Sequence, residues 1–326
     1  MQILGVPIQC GHVLTPTETV MSSLSLPSPT LSTPAWRIAV VGCAFSLIWS
    51  SAFIAGKQAM TGCGPFTLLS LRFLAAGALL WLLRRWLPGD TPQQAAAPAI
   101  AWRHALIAGL LTNVVYLGLG YHGLRHVPAG LTAILVSVSP LLTAAMAALW
   151  LREPLGARQL LGLLCGMGGV AWIMAGRSGG ASALDHKAWL GVGMILAGAL
   201  ALAASTLYNR RAAGQLNPWR IARLQLWASG LTLLPLALWT EGLQLNPTPL
   251  VLASLAYQAT VVSIGTTLML LWLVRHGGAA KASSFHLLNP LFGVLLAAAL
   301  LGETVTLSDV MGALPIVAGL GLVMRR

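Results

Sequence analysis

The sequence predicts an all-α polytopic membrane protein: ten transmembrane helices arranged as two inverted five-helix repeats. Three observations carry this. Of the 326 residues, 57% are hydrophobic and only 8% charged, against about 25% charged in soluble domains, which is too few to solvate a globular surface. Near-continuous apolar runs of about 20 residues, the length that crosses a hydrocarbon core as a helix, recur ten times. Residues 140–174 and 290–324 also align without a gap at an offset of 150, with ten identities in thirty-five positions. The same register pairs Arg125-His126 with Arg275-His276 and Ala129 with Ala279.

Residues 1–35 are rich in Ser, Thr and Pro and hold no Lys or Arg. Without the basic start of a signal peptide, they read as a disordered cytoplasmic tail. Met21 within that tail is an alternative start to Met1, which N-terminal sequencing distinguishes. The first repeat, 36–176, holds spans near 37–57, 65–83, 104–121, 128–151 and 156–176; a linker, 177–187, follows. The second repeat, 188–326, holds spans near 188–208, 219–240, 249–274, 279–301 and 306–324. An odd number of helices per copy makes the second copy enter the membrane from the other side, so the repeats are inverted. With the N-terminus inside, thirteen Lys and Arg lie at cytoplasmic ends and four (Lys57, Arg125, Arg177, Lys187) lie outside. The positive-inside rule therefore favours both termini on the cytoplasmic side. The net charge of +12 is mostly topology; dispersed among short loops, it forms no nucleic-acid face.

Nucleotide-binding, zinc-protease and aspartyl-protease patterns are missing. Cys10, Cys43, Cys63 and Cys165 have neither paired nor metal-ligand spacing. No Walker A run, no His-Glu-x-x-His and no pair of intramembrane Asp is present. The expectation is a non-enzyme without metal or cofactor, whose partners are the bilayer and a small molecule.

Inverted repeats let two halves exchange inward-open and outward-open shapes around a central site, an arrangement used by secondary transporters. The order Trp49-Ser50-Ser51-Ala52-Phe53 in helix one, Pro65 then Leu71-Arg72-Phe73 in helix two, Pro140 in helix four, Glu153 at the turn, and Gly162 and Gly169 in helix five resembles the EamA-type, ten-helix members of the drug/metabolite transporter superfamily. The likeness covers about residues 37–326. It implies a small-metabolite transporter, with export of amino acids or their derivatives leading and efflux of amphipathic drugs or other metabolites next. A non-transporting scaffold or accessory subunit is the alternative from another class. The resemblance also implies that helices one, three, four and six to nine surround a central cavity while five and ten are peripheral. Small four-helix exporters of the superfamily rely on a helix-one glutamate; here helix one carries no acid from Ile38 to Gly56.

Pro140 and Pro290 each remove a backbone donor mid-span, so both helices kink at the same repeat position and are hinge candidates. Polar groups beside the kinks, Ser137, His286 and Asn289, are costly facing lipid and are expected to face the interior. His286 is a candidate for substrate binding or proton transfer. Arg72 lies inside helix two, where an arginine costs at least ~2.5 kcal/mol unless it finds a partner or water; it is a candidate charge partner for a substrate. Alignment of Pro65/Pro218 and Gly77/Gly230 puts Gln225 at its equivalent position. Trp49, Ser50, Phe53, Asn113, Tyr116, Tyr208, Tyr257 and Gln258 complete a candidate cavity of mixed apolar and hydrogen-bonding character.

Overall fold

A computed structural model describes residues 34–87, 89–90, 98–150, 152, 156–176, 185–212 and 217–324. Nearly all of the N-terminal tail, linker residues 177–184 and Glu153 lie outside the described residues. Among the described residues, eight helices are long and apolar enough to cross a membrane: α1 (Ala35–Ala59), α2 (Pro65–Trp86), α3 (Ile100–Leu124), α4 (Ala129–Trp150), α5 (Ala157–Gly176), α6 (His186–Asn209), α7 (Pro218–Glu241) and α8 (Pro249–Gly277). Two shorter apolar helices, α9 (Asn289–Leu301) and α10 (Leu307–Gly319), complete the ten. Sequence chemistry sets many of the ends. Pro65, Pro218 and Pro249 occupy first turns, where a missing N–H costs nothing. Asn217 caps α7 by accepting from the Trp219 amide at 2.9 Å. The last turn of α9 closes on Gly302 at φ 66°, and its repeat equivalent Arg152 has the same left-handed backbone at φ 53°.

The expected kinks are present. The fourth span divides into Ala129–Val136 and Ser139–Trp150, just ahead of Pro140. Ahead of Pro290 a 3-10 turn, Phe285–Leu288, precedes Asn289–Leu301. Where a loop was expected between the eighth and ninth spans, the backbone stays helical from Thr266 to Ser284. A further irregularity has no proline behind it. The third helix of each repeat contains a π-helical stretch, Leu110–Tyr116 in α3 and Gln258–Gly265 in α8.

Successive helices run in alternating directions, so the bundle has a terminal face, where α1 begins and α10 ends, and a distal face. On the distal face the Glu303 carboxylate accepts from Lys57 Nζ at 2.7 Å, the Ala129 amide at 2.8 Å and the Gly130 amide at 3.0 Å. It thereby ties the end of α1 to the positive N-terminal end of α4. Glu241 caps α2 in the same way, accepting from the Phe66 and Thr67 amides at 2.9 and 2.8 Å. On the terminal face Asp90 pairs with Arg220 at 2.8 Å and His104 bonds Asn209 at 2.9 Å.

The closest packing between the two repeats joins α5 to α10 and α2 to α7. Glycines make the first seam: a Cβ added at Gly169 would lie 2.5 Å from the Gly312 carbonyl oxygen. Away from these seams Leu149, Trp150, Leu161, Met167, Trp172 and Trp239 are exposed, as a lipid-facing surface requires.

Candidate substrate cavity

A cavity of about 300 Å³ lies inside the bundle. It is lined by α1 (Trp49, Ala52, Phe53), α2 (Arg72, Phe73), α3 (Thr112, Asn113, Tyr116, Leu117, Tyr121), α6 (Asn209), α7 (Ala222, Gln225, Leu226) and α8 (Val262, Ser263, Thr266, Thr267, Leu270). Asn209 ends α6 and Ala222 lies in the second turn of α7, so the cavity reaches towards the terminal face.

Its base is a layer of neutral polar groups around one cation. Arg72 is 6% exposed; its Nε donates to Ser263 Oγ at 2.9 Å and its Nη1 to the Tyr121 hydroxyl at 3.2 Å. Tyr121 donates to the Ala52 carbonyl at 3.2 Å and accepts from Gln258 Nε2 at 2.8 Å. Gln258 Nε2 also reaches the Ala52 carbonyl at 3.0 Å, and Ser263 Oγ donates to the Gln258 carbonyl at 2.9 Å. The layer thus cross-links α1, α2, α3 and α8. Beyond it Tyr121 fills the space beside Gly56, where a Cβ would come 2.6 Å from the ring.

The lining obeys the repeat. At the offset of 150, Thr112, Asn113, Tyr116 and Leu117 correspond to Val262, Ser263, Thr266 and Thr267, and all eight line the cavity. At the offset of 153 set by Pro65/Pro218, Arg72 and Phe73 correspond to Gln225 and Leu226, which also line the cavity. Both π-helical stretches end in this lining, consistent with the placement of such turns at functional sites. The cavity therefore lies where the two inverted halves face each other.

Among the candidates read from sequence, Trp49, Phe53, Arg72, Asn113 and Tyr116 line the cavity. Gln258 supports its base without lining it. The others lie elsewhere. Ser50 donates to the Asn289 carbonyl at 3.1 Å, Ser137 to the Ile134 carbonyl at 2.6 Å, and Tyr257 bonds Ser51 at 2.6 Å. Tyr208 stacks on His104 with ring centroids 4.6 Å apart. His286 lies edge-on to Phe45 and Trp49, at 5.1 and 5.4 Å, and contacts Asn289 Nδ2 through Nδ1 at 3.0 Å. No residue of α4 or α9 is in the lining, so the expectation that those helices surround the cavity is corrected; α2 takes part instead. The kinks at Pro140 and Pro290 consequently lie outside the cavity wall. Sequence reading passed over Tyr121, Ser263, Thr266 and Thr267. The offset of 150 pointed to Ser263 and Thr266, the equivalents of the candidates Asn113 and Tyr116, whereas Thr267, equivalent to Leu117, and Tyr121 at the end of an apolar run carried no such signal.

A family model matches residues 36–175 and again 189–325, and its description is the EamA-like transporter family. The chain belongs to that family. This EamA protein is 28% identical over 299 residues to the uncharacterized transporter YvbV of Bacillus subtilis, covering 89% of this chain and 92% of that one. It is 28% identical over 272 residues to the uncharacterized inner membrane transporter YedA of Escherichia coli K12, covering 81% and 82%. A probable terminal-alkyne amino-acid exporter of Streptantibioticus cattleyicolor is 25% identical over 279 residues, covering 85% and 90%. A Gly-x-Ser-x-Gly run at 176–180 follows a helix rather than a strand, so the strand–turn–helix frame of a nucleophile elbow is missing among the described residues.

Proposed function

We propose that this EamA protein exports a small metabolite, an amino acid or amino-acid derivative, across a bacterial-type inner membrane by alternating access, with both termini cytoplasmic. The observation that carries the reading is the pairing of Arg72 with Gln225 and Asn113 with Ser263 across one cavity. Two inverted halves that contribute equivalent residues to one site can exchange shapes around it. In the present arrangement the cavity reaches towards the terminal face, while Glu303 and Glu241 bind helices together on the distal face. With the terminal face cytoplasmic, as the distribution of Lys and Arg favours, this is the loading state of an exporter. The similarity to a protein named as a probable amino-acid exporter supports the substrate class.

The aromatic share of the lining, Trp49, Phe53, Phe73 and Tyr116, favours efflux of amphipathic compounds as a second reading. Proteoliposomes loaded with a panel of amino acids, their derivatives and amphipathic drugs decide between them. Asn113 donates to Ser229 Oγ at 3.0 Å beside the cavity, so Asn113→Leu is expected to lower flux roughly tenfold through a lost hydrogen bond and added bulk, with membrane insertion unchanged. Movement of no panel member would favour the scaffold or accessory role.

A further inference from the structure

Arg72 is a permanent cation held inside the bundle by neutral partners alone. Among the described residues the ion pairs are Lys57–Glu303 and Asp90–Arg220, and neither reaches it. Hydrogen bonds to Ser263 and Tyr121 fix the guanidinium but do not neutralise it. Nη1 keeps a second N–H, and Nη2 donates to none of the described residues, while the side chain lines the cavity. A buried charge in low dielectric without a counter-ion is an unmet electrostatic demand, and here it opens onto the cavity between the two halves.

We infer that the cavity takes an organic anion, whose carboxylate sits on the free side of the Arg72 guanidinium and whose apolar body lies against Trp49, Phe53, Phe73 and Tyr116. This deepens the transport reading and rests on it for the route the ligand follows. No Asp or Glu among the described residues is in the lining, so an ammonium group would meet there only neutral acceptors such as the Asn113 and Gln225 amides. Carboxylates without a free amine (2-oxo acids, N-acyl amino acids, arylalkanoic acids) are satisfied at every point. A free amino acid has its carboxylate served and its ammonium unserved, and an amine gains nothing. Charge outside the cavity points the same way. Arg223, beside the lining residue Ala222, lies close to Arg220, Arg84 and Asp90, three cations to one acid, which raises the local concentration of anions.

Calorimetric titration of the purified full chain with four ligands sharing one body tests this: phenylpyruvate, N-acetylphenylalanine, phenylalanine and phenethylamine. The first two are expected to bind, phenylalanine roughly tenfold more weakly, and phenethylamine not measurably in the same range. Arg72→Gln is expected to weaken the carboxylates roughly tenfold or more, while Arg72→Lys, which offers a cation but loses the guanidinium fork, is expected to lie between Arg72→Gln and the native chain. Phenethylamine binding as tightly as phenylpyruvate, no carboxylate binding, or a monodisperse Arg72→Gln with native affinity would each overturn the inference. If Arg72→Gln does not fold, the ligand ranking on the native chain decides alone. Arg72-dependent binding without flux in proteoliposomes would sink the transport reading and leave the anion site. Flux of amines with no binding of carboxylates would do the reverse.

Discussion

A Glu303→Gln variant is expected to weaken closure of the distal face by about 2 kcal/mol, the scale of a charge-assisted hydrogen bond network losing its charge. The carboxylate accepts from Lys57 and from two amides at the start of α4, and Gln can replace only part of this. Burial by itself would raise the Glu303 pKa, but the bonds from Lys57, Ala129 and Gly130 outweigh it and hold the group below its ordinary value. Its stabilising contribution is therefore complete above the usual carboxylate range and is lost as pH falls through the depressed pKa. Acid should loosen the distal face of the native chain, and Glu303→Gln should remove that pH dependence. Cys63 is a built-in reporter on this face, its thiol pushed up to about 11 by burial and by the charge of Glu241. In a chain with Cys63 as sole cysteine, maleimide labelling at neutral pH should be slow and should speed up on the order of tenfold in Glu303→Gln, tracking the open population. An unchanged labelling rate would show that the latch does not hold this face shut.

A larger loss is expected from Gly169→Leu. Its Cβ would stand 2.5 Å from the Gly312 carbonyl oxygen and 2.8 Å from Ile316 Cγ1. The first obstacle is backbone, so no rotamer change relieves it, and α5 and α10 must separate. Membrane helices associate through close packing rather than water exclusion, so the separation forfeits the seam outright, at a cost above about 3 kcal/mol. The yield of monodisperse protein and its Tm should fall steeply, with Gly169→Ala intermediate. Because α5 and α10 supply no cavity residue, ligand affinity of the folded remainder should be native. A Leu variant with native yield and Tm would mean that the seam is slack.

The scaffold was largely legible in the sequence because bilayer thickness and backbone satisfaction leave little choice. The apolar runs marked the helices, the offset of 150 marked the repeat, and Pro140 and Pro290 marked the interruptions of the fourth and ninth spans. The site was legible in part. A polar side chain in a span must be satisfied, but a neighbouring backbone carbonyl serves as well as a cavity does. That is why Arg72 and Asn113 line the cavity, while Ser50 and Ser137 bond to backbone carbonyls of Asn289 and Ile134 instead. The two π-helical stretches had no sequence mark, since they arise from hydrogen-bond register and not from composition. Tyr121 was hidden by its place at the end of an apolar run, where an aromatic reads as an interface anchor.

The two-fold relation between the halves holds in backbone and, among the residues lining the cavity, fails in charge at the pair Arg72 and Gln225. Arg72 lies near the distal end of α2, at the enclosed base of the cavity, and Gln225 lies near the terminal end of α7. If the halves trade shapes, Gln225 becomes the enclosed residue and Arg72 meets water, where its hold on an anion drops with the rising dielectric. On the proposed function such a carrier would grip an anion from one side and let it go on the other, a molecular rectifier made by one unlike pair in the lining. Half-saturation for a carboxylate should accordingly differ between the two faces of oriented proteoliposomes, and Gln225→Arg should bring the two values together.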